Sequence, residues 1–249
     1  MGAAHVELDV RFSADDEVIV FHDDALDAKT KRSGRVRHYP ASVLRRTDIG
    51  SWFDRTHPEI DDAFAGTCLV GLDEVFEELG GSVHYHIEMK GFDDWLPLRL
   101  LQCIDRHGLR ERVTATSFSL RPLLKLRTLC EQIPLCFLLR DAADALRSAE
   151  FRPELHAATA AEVHEFWIDE AARAGFNQVG IRAADMRHRT AARAADRGLE
   201  VRGWGVGDAS DLERLFRRGA VGATIDWPAR GLDIVERLAS RSKASRVAG

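Results

Sequence analysis

Val6-Glu7-Leu8-Asp9-Val10, followed after a short turn by Val18-Ile19-Val20-Phe21-His22-Asp23, decides how this chain is read. In an extended strand, residues i and i+2 point to the same face. Glu7 and Asp9 therefore project together, while Val6, Leu8 and Val10 go the other way. Two carboxylates from one strand make half of a hard-cation site for calcium or magnesium. The second run is also strand-like, and it delivers His22 and Asp23 at its C-terminal end. A divalent site with a histidine beside it points to phosphoryl or other metal-assisted chemistry. The alternative is a solvated surface strand followed by an ordinary hairpin.

The chain has 249 residues and a formal charge of -5. That length suffices for one sizeable core, and barrels of alternating strands and helices often run to about 250 residues as one domain. The composition is that of a soluble globular protein, and its mild acidity gives no electrostatic reason to expect nucleic-acid binding. Cys68, Cys103, Cys130 and Cys136 lack zinc-finger or redox-motif spacing and read as free, mostly buried thiols. No apolar run is long enough to span a bilayer. No signal peptide is visible, since strand-like sequence begins almost at Met1, and as it stands the sequence reads as cytoplasmic.

Outward from the opening pair of runs, residues 24 to about 66 are irregular and charged, with Gly34, Pro40, Gly50, Pro58 and Gly66 as punctuation. So long a connection is functional or forms a small insert. Residues 41–46 fit a helical turn within it, and Ser51-Trp52-Phe53 is an apolar patch suited to anchor it to the body. Helices are predicted over 72–79, 94–107, 120–130, 160–174, 186–197, 209–218 and 232–239, many of them closed by glycine. Strand segments are centred near Val6, Tyr85, Val113, Leu135, Val179, Val201 and Val221. Such alternation with short connections predicts parallel strands in one domain over 1–239, with a flexible tail over 240–249. A doubly wound open sheet is the competing architecture, but no Gly-rich phosphate loop follows any strand.

His84-Tyr85-His86-Ile87-Glu88-Met89-Lys90 alternates with period two. His84, His86, Glu88 and Lys90 share one face. Glu88 is a candidate third carboxylate for the cation, and Lys90 a point charge for an anionic substrate. A buried Glu88–Lys90 pair without a ligand is the competing reading. His84 and His86 are expected in the core, or behind the site, rather than as ligands.

These residues resemble the glycerophosphodiester phosphodiesterase family. The motifs that carry the resemblance are Gly2-Ala3, Glu7-Leu8-Asp9-Val10, Val18 to Asp23, Leu72-Asp73-Glu74-Val75, Ile87-Glu88-Met89-Lys90, Ser117-Phe118-Ser119, Trp204-Gly205-Val206 and Thr224-Ile225-Asp226-Trp227-Pro228. Ser33-Gly34-Arg35-Val36 and Asp48 to Phe53 fit the family's insert. The likeness covers nearly the whole chain, in order. It implies an α/β fold of the TIM (β/α)8 type, with a small insert over about 24–70, after the second family strand. It also implies metal-dependent hydrolysis of a glycerophosphodiester to an alcohol and glycerol 3-phosphate. On this resemblance Glu7, Asp9 and Glu88 would hold one divalent cation, calcium or magnesium. His22 would be an acid–base histidine, Lys90 would contact the phosphate, and Trp204 would line the pocket; plain packing is the alternative for Trp204.

The family's pattern opens with a His-Arg-Gly strand and a helix before its Gly-Ala pair, which here is Gly2-Ala3. The resemblance therefore implies a barrel lacking its first strand and helix, in keeping with seven strand segments. It leaves three expectations: a fragment of an active enzyme, a phosphate-ester-binding relative without turnover, or a subunit whose open edge a second copy covers. With an upstream start, any signal peptide would lie in that segment, which leaves localisation open. Lysophospholipase D-like cleavage on the same barrel is a related possibility, favoured by an exposed apolar rim around Trp52 and Phe53.

Overall fold

A computed structural model describes residues 2–60 and 63–247, with side chains described as far as residue 240. Two compact units divide the chain, one over Ala4–Ile133 and one over Pro134–Gly249 together with the first residues.

The unit Ala4–Ile133 contains β1 (His5–Phe12), β2 (Val18–Val20), α1 (Ala41–Leu44), α2 (Gly50–Thr56), α3 (Leu72–Leu79), β3 (His84–Met89), α4 (Leu96–Arg106), β4 (Val113–Ser117) and α5 (Leu120–Leu129). Its strands lie in the order β2-β1-β3-β4. β1 pairs in parallel with β3, and β3 with β4, while β2 folds back antiparallel on β1 with Val10 opposite Val20. The hairpin is held by its acidic turn. Asp16 adopts φ 59, a left-handed conformation that aspartate tolerates better than most residues. The Asp15 carboxylate accepts hydrogen bonds from the Ser13 hydroxyl at 2.6 Å and from the Ala41 amide at 2.8 Å. The turn is thereby tied to the first helix of the insert.

The insert has its own small core, in which Leu26, Val36, Ala41, Leu44 and Leu69 pack on Ile19 and Phe21, all buried. Trp52 and Phe53, an apolar patch in the sequence, lie in α2. Phe53 stacks on His57 at 4.3 Å and meets Phe64 edge-on at 5.2 Å, so the patch knits the insert to itself. The signal for α2 was Asp48, whose carboxylate accepts from the Ser51 amide at 3.0 Å and so caps the first turn.

The other unit contains β5 (Leu135–Leu138), α6 (Ala142–Ala149), α7 (Ala160–Arg173), β6 (Gln178–Arg182), α8 (His188–Asp196), β7 (Glu200–Trp204), α9 (Ala209–Arg217), β8 (Gly222–Ala223) and α10 (Pro228–Val247). β5, β6, β7 and β8 pair in that order, all parallel. Ala145, Ala149, Leu155 and Val163 join α6 to α7 in a buried cluster. α6 escaped the sequence reading because Ala-Ala-Asp-Ala-Leu-Arg-Ser-Ala has few large apolar residues. Its capping residue was legible, since Asp141 accepts from the amides of Ala143 and Asp144. α10 begins earlier than expected, at Pro228, whose fixed φ suits a first helical position. It continues to Val247 because no proline or glycine interrupts residues 232–247. β8 shrinks to Gly222–Ala223 within the expected last strand. Among the described residues no helix is long and apolar enough to cross a membrane.

Candidate active site

The site grows from the two periodic strands of the first unit. In β1, Val10 and Phe12 are buried on one face, which turns Glu7, Asp9 and Arg11 to the other. In β3, Tyr85, Ile87 and Met89 are at most 1% exposed, which turns His86, Glu88 and Lys90 the opposite way. Tyr85 is held further by its hydroxyl, which donates to the Gly80 carbonyl at 2.7 Å, and by Phe76, edge-on at 4.9 Å. Parallel pairing sets Asp9 directly opposite Glu88 and Glu7 opposite His86. One carboxylate oxygen each from Glu7, Asp9 and Glu88 then lies within 4.8 Å of the others.

Three carboxylates this close repel one another unless positive charge stands among them. Lys90 supplies some of it. Its Nζ lies 2.7 Å from Glu88 and 3.2 Å from Asp9. Burial raises the Glu88 pKa above the usual carboxylate range; Lys90 opposes that shift and Asp9 adds to it. An all-oxygen donor set with surplus negative charge fits a hard divalent cation. Lys90 itself is held at the end of β3, its amide donating to the Val10 carbonyl at 3.1 Å. Its ammonium sits 5.8 Å from the Phe118 ring centroid. The Ser117 hydroxyl, donating to the Met89 carbonyl at 3.0 Å, ties β4 under the same turn.

His22 follows β2 with only Phe21 between. The Phe21 amide donates to the Asp9 carbonyl at 2.9 Å, which brings His22 to the carboxylate end of β1. The imidazole is exposed, and its Nδ1 lies 2.6 Å from Asp23 Oδ1. A carboxylate only accepts, so Nδ1 carries the proton in that contact and Nε2 is left to exchange one. Asp23 is partly buried, which raises its pKa, but hydrogen bonds from His22 and Lys29 outweigh this and hold it below the ordinary value. Lys29 reaches Asp23 at 3.3 Å and stands 5.1 Å from the Trp52 ring centroid. The insert thus braces the histidine through Trp52, Lys29 and Asp23.

Two groups here escaped the sequence reading. Asp23 was noted beside His22 but given no role, although direct adjacency in sequence is what allows the short contact. Arg11 continues the Glu7, Asp9 face by one more period-two step. Its Nε donates to the His22 carbonyl at 2.8 Å, and its Nη1 lies 3.3 Å from Asp24. Burial lowers the Arg11 pKa, against the pull of Asp24, Asp9, Asp23 and Glu88. Glu7, Asp9, Glu88, Lys90 and His22 therefore all belong to one unit. Trp204 belongs to the other, where it ends β7 opposite Arg182 of β6.

Comparison with known proteins bears on the whole chain. The model of the glycerophosphoryl diester phosphodiesterase family matches residues 1–230. A glycerophosphodiester phosphodiesterase of Bacillus subtilis (strain 168) is 26% identical over 239 residues, spanning 92% of this chain and 75% of the relative. The crystal structure of glycerophosphodiester phosphodiesterase from Agrobacterium tumefaciens superposes with a TM-score of 0.67 at 24% identity, over 90% of this chain and 84% of that one. A phosphodiesterase from Oleispira antarctica, solved with its product sn-glycerol-3-phosphate, superposes with a TM-score of 0.76 at 18% identity, over 94% and 86%. These likenesses show the α/β fold of the TIM-barrel phosphodiesterases. The chain belongs to the glycerophosphoryl diester phosphodiesterase family, a family of phosphoric diester hydrolases.

Proposed function

We propose that this protein hydrolyses glycerophosphodiesters to a free alcohol and glycerol 3-phosphate with the help of one divalent cation, calcium or magnesium. The observation that supports this most is the convergence of Glu7, Asp9 and Glu88 beside Lys90, at the strand ends that also carry His22. Glu7, Asp9 and Glu88 would hold the cation, which would offset the charge of the phosphodiester and of the transition state derived from it. Lys90 binds a phosphoryl oxygen as a point charge. His22 Nε2 gives its proton to the departing alkoxide as the P–O bond breaks, while a water oxygen joins phosphorus; the proton that water sheds passes to solvent, from which the exposed imidazole is re-protonated. Asp23 holds the imidazole in the tautomer this transfer needs, and Arg11 positions the His22 backbone. The glycerol 3-phosphate found with the Oleispira antarctica protein supports the choice of product.

The test is release of glycerol 3-phosphate from glycerophosphocholine, with calcium, with magnesium and with chelator. Release that requires a cation and disappears in Glu88→Gln is expected. Cation binding by calorimetry without release from any glycerophosphodiester would replace hydrolysis by phosphate-ester binding.

One observation favours lysolipid substrates as a second reading. Trp52 and Phe53 pack inside the insert and do not form the expected rim. Phe92 and Trp95, in the loop that follows Lys90, are instead 72% and 66% exposed. Lysophosphatidylcholine cleaved faster than glycerophosphocholine, and slowed by Trp95→Ser, would establish it.

A further inference from the structure

The face that carries the carboxylates carries a second constellation, one strand step nearer the N-terminal ends of β1 and β3. His5 precedes Glu7 on that face, and His84 and His86 precede Glu88. Parallel pairing sets His5 opposite His84. The three imidazoles converge. Ring centroids lie 5.1 Å apart for His5 and His84, 5.4 Å for His5 and His86, and 5.0 Å for His84 and His86. One ring nitrogen from each lies within 4.8 Å of the other two. We propose that His5, His84 and His86 form a second cation site, selective for a borderline transition ion of the zinc class.

The geometry and the chemistry of the donors carry this. His5 Nδ1 and His86 Nε2 are 3.1 Å apart. Two nitrogens bound to one tetrahedral zinc ion at about 2.0–2.1 Å lie roughly 3.3 Å from each other, so this pair needs only a small adjustment to share an ion. Imidazole nitrogen suits zinc, copper or nickel, whereas calcium and magnesium take oxygen. The two triads on one face therefore select different ions. Three histidines leave a fourth tetrahedral position, and the exposure of His5 opens it to water. On the other side His86 is 4% exposed, so the site is anchored in the dry interior. The Thr114 hydroxyl, 2.9 Å from His84 Nε2, can fix the orientation of that ring, as a hydrogen-bonding neighbour does for a metal-bound histidine. All three ligands stand on hydrogen-bonded strands, which hold a constellation more firmly than loops do.

The role that follows is distinct from hydrolysis. Glu7 stands level with His86, but the Asp9–Glu88 rung lies one period-two step, about 6.7 Å, beyond His86 and two steps beyond His5 and His84, so ions in the two triads would stand farther apart than the roughly 3.5–4 Å of a co-catalytic pair. A zinc-class ion here clips β1 to β3 below the Asp9–Glu88 rung, holding the register on which those two residues meet.

Cobalt titrated into chelator-stripped protein tests the site, with excess magnesium present to occupy the carboxylates. One equivalent should bind, with a visible ligand-field band of tetrahedral intensity that zinc then abolishes. His5→Ala and His84→Ala, at partly exposed positions, should each weaken cobalt binding at least tenfold, while Asp9→Asn leaves it intact. Zinc should raise the Tm of the parent protein and not that of the double variant His5→Ala/His84→Ala. Three outcomes would each overturn the proposal: no stoichiometric cobalt in the parent protein, cobalt affinity unmoved by the histidine substitutions, or loss of cobalt in Asp9→Asn.

Discussion

Lys90→Met should cost the cation-free protein about 3 kcal/mol, and the cation-loaded protein much less. Lys90 Nζ is 2.7 Å from Glu88 and 3.2 Å from Asp9, and the three side chains are 13%, 8% and 20% exposed. Removing one partner of a buried ion pair leaves charge uncompensated, at about 3–5 kcal/mol for a fully buried pair. The partial access of Asp9 to water places this case at the low end. Methionine keeps most of the lysine stem's volume, so a cavity adds little. Glu88 sets the pH dependence. Its pKa is already raised by burial, and loss of Lys90 raises it further. The folded protein then holds the Glu88 proton more tightly than the unfolded chain does. The penalty is therefore full above the folded pKa of Glu88 and shrinks as pH falls through it. Saturating calcium or magnesium supplies positive charge to the same oxygens, and the difference between parent and variant should close to under about 1 kcal/mol. Urea denaturation followed by circular dichroism, in chelator and in cation, measures both numbers. An equal loss in the two conditions would refute the reasoning, because Lys90 and the cation would not be serving the same charges. No loss in chelator would show that the carboxylates tolerate each other without it.

Glu88→Gln should weaken calcium or magnesium binding at least about tenfold by calorimetry, as one of three charged ligands is lost; unchanged affinity would remove Glu88 from the site. His22→Ala should lower turnover by about 10²–10⁴ while leaving cation affinity intact, the signature of a proton-transfer group. Asp23→Asn should also reduce the rate, since an amide offering its N–H to Nδ1 favours the wrong tautomer; a pH–rate profile identical to the parent's would exclude the orienting role. In the other unit, hydrogen bonds from Arg193 and Arg197 hold the Asp169 carboxyl down to about 2. Its folded pKa lies below the unfolded value of about 3.9, so its stabilisation is present above that value and lost as pH falls towards 2. Asp169→Asn should accordingly lower Tm near neutral pH and have little effect at the acid end, as calorimetric scans at the two pH values would show.

Local pattern carried a good part of the fold. α3 occupies 72–79 as expected, because Leu72 and Phe76 share a buried stripe and Gly80 ends the helix at φ 50, ψ -136, a conformation open to glycine and not to residues with a side chain. Elements that lacked such a stripe were missed. α6 offered alanine at half of its positions, and α2 was hidden inside an irregular insert; both were marked only by an aspartate accepting from their first-turn amides. The same limit applies within the site. Glu7, Asp9, Glu88 and Lys90 stood out by alternation, whereas Arg11 acquires meaning only from the His22 carbonyl that β2 brings to it.

Side-chain period two is a property of the extended backbone, so the sequence alone could place Glu7 with Asp9, and Glu88 with Lys90, on common faces. It could not say which rung of β1 faces which rung of β3, because their pairing joins residues 79 positions apart through hydrogen bonds that carry no side-chain label. That register is set by the burial of Val10, Phe12, Tyr85, Ile87 and Met89 against the rest of the unit. It puts Asp9 across from Glu88 and His5 across from His84. A slip of one residue would turn every carboxylate and imidazole of one strand into the apolar layer. Packing in three dimensions, more than any motif, is what gathers the side chains of two alternating strands into one cluster of carboxylates and one of imidazoles.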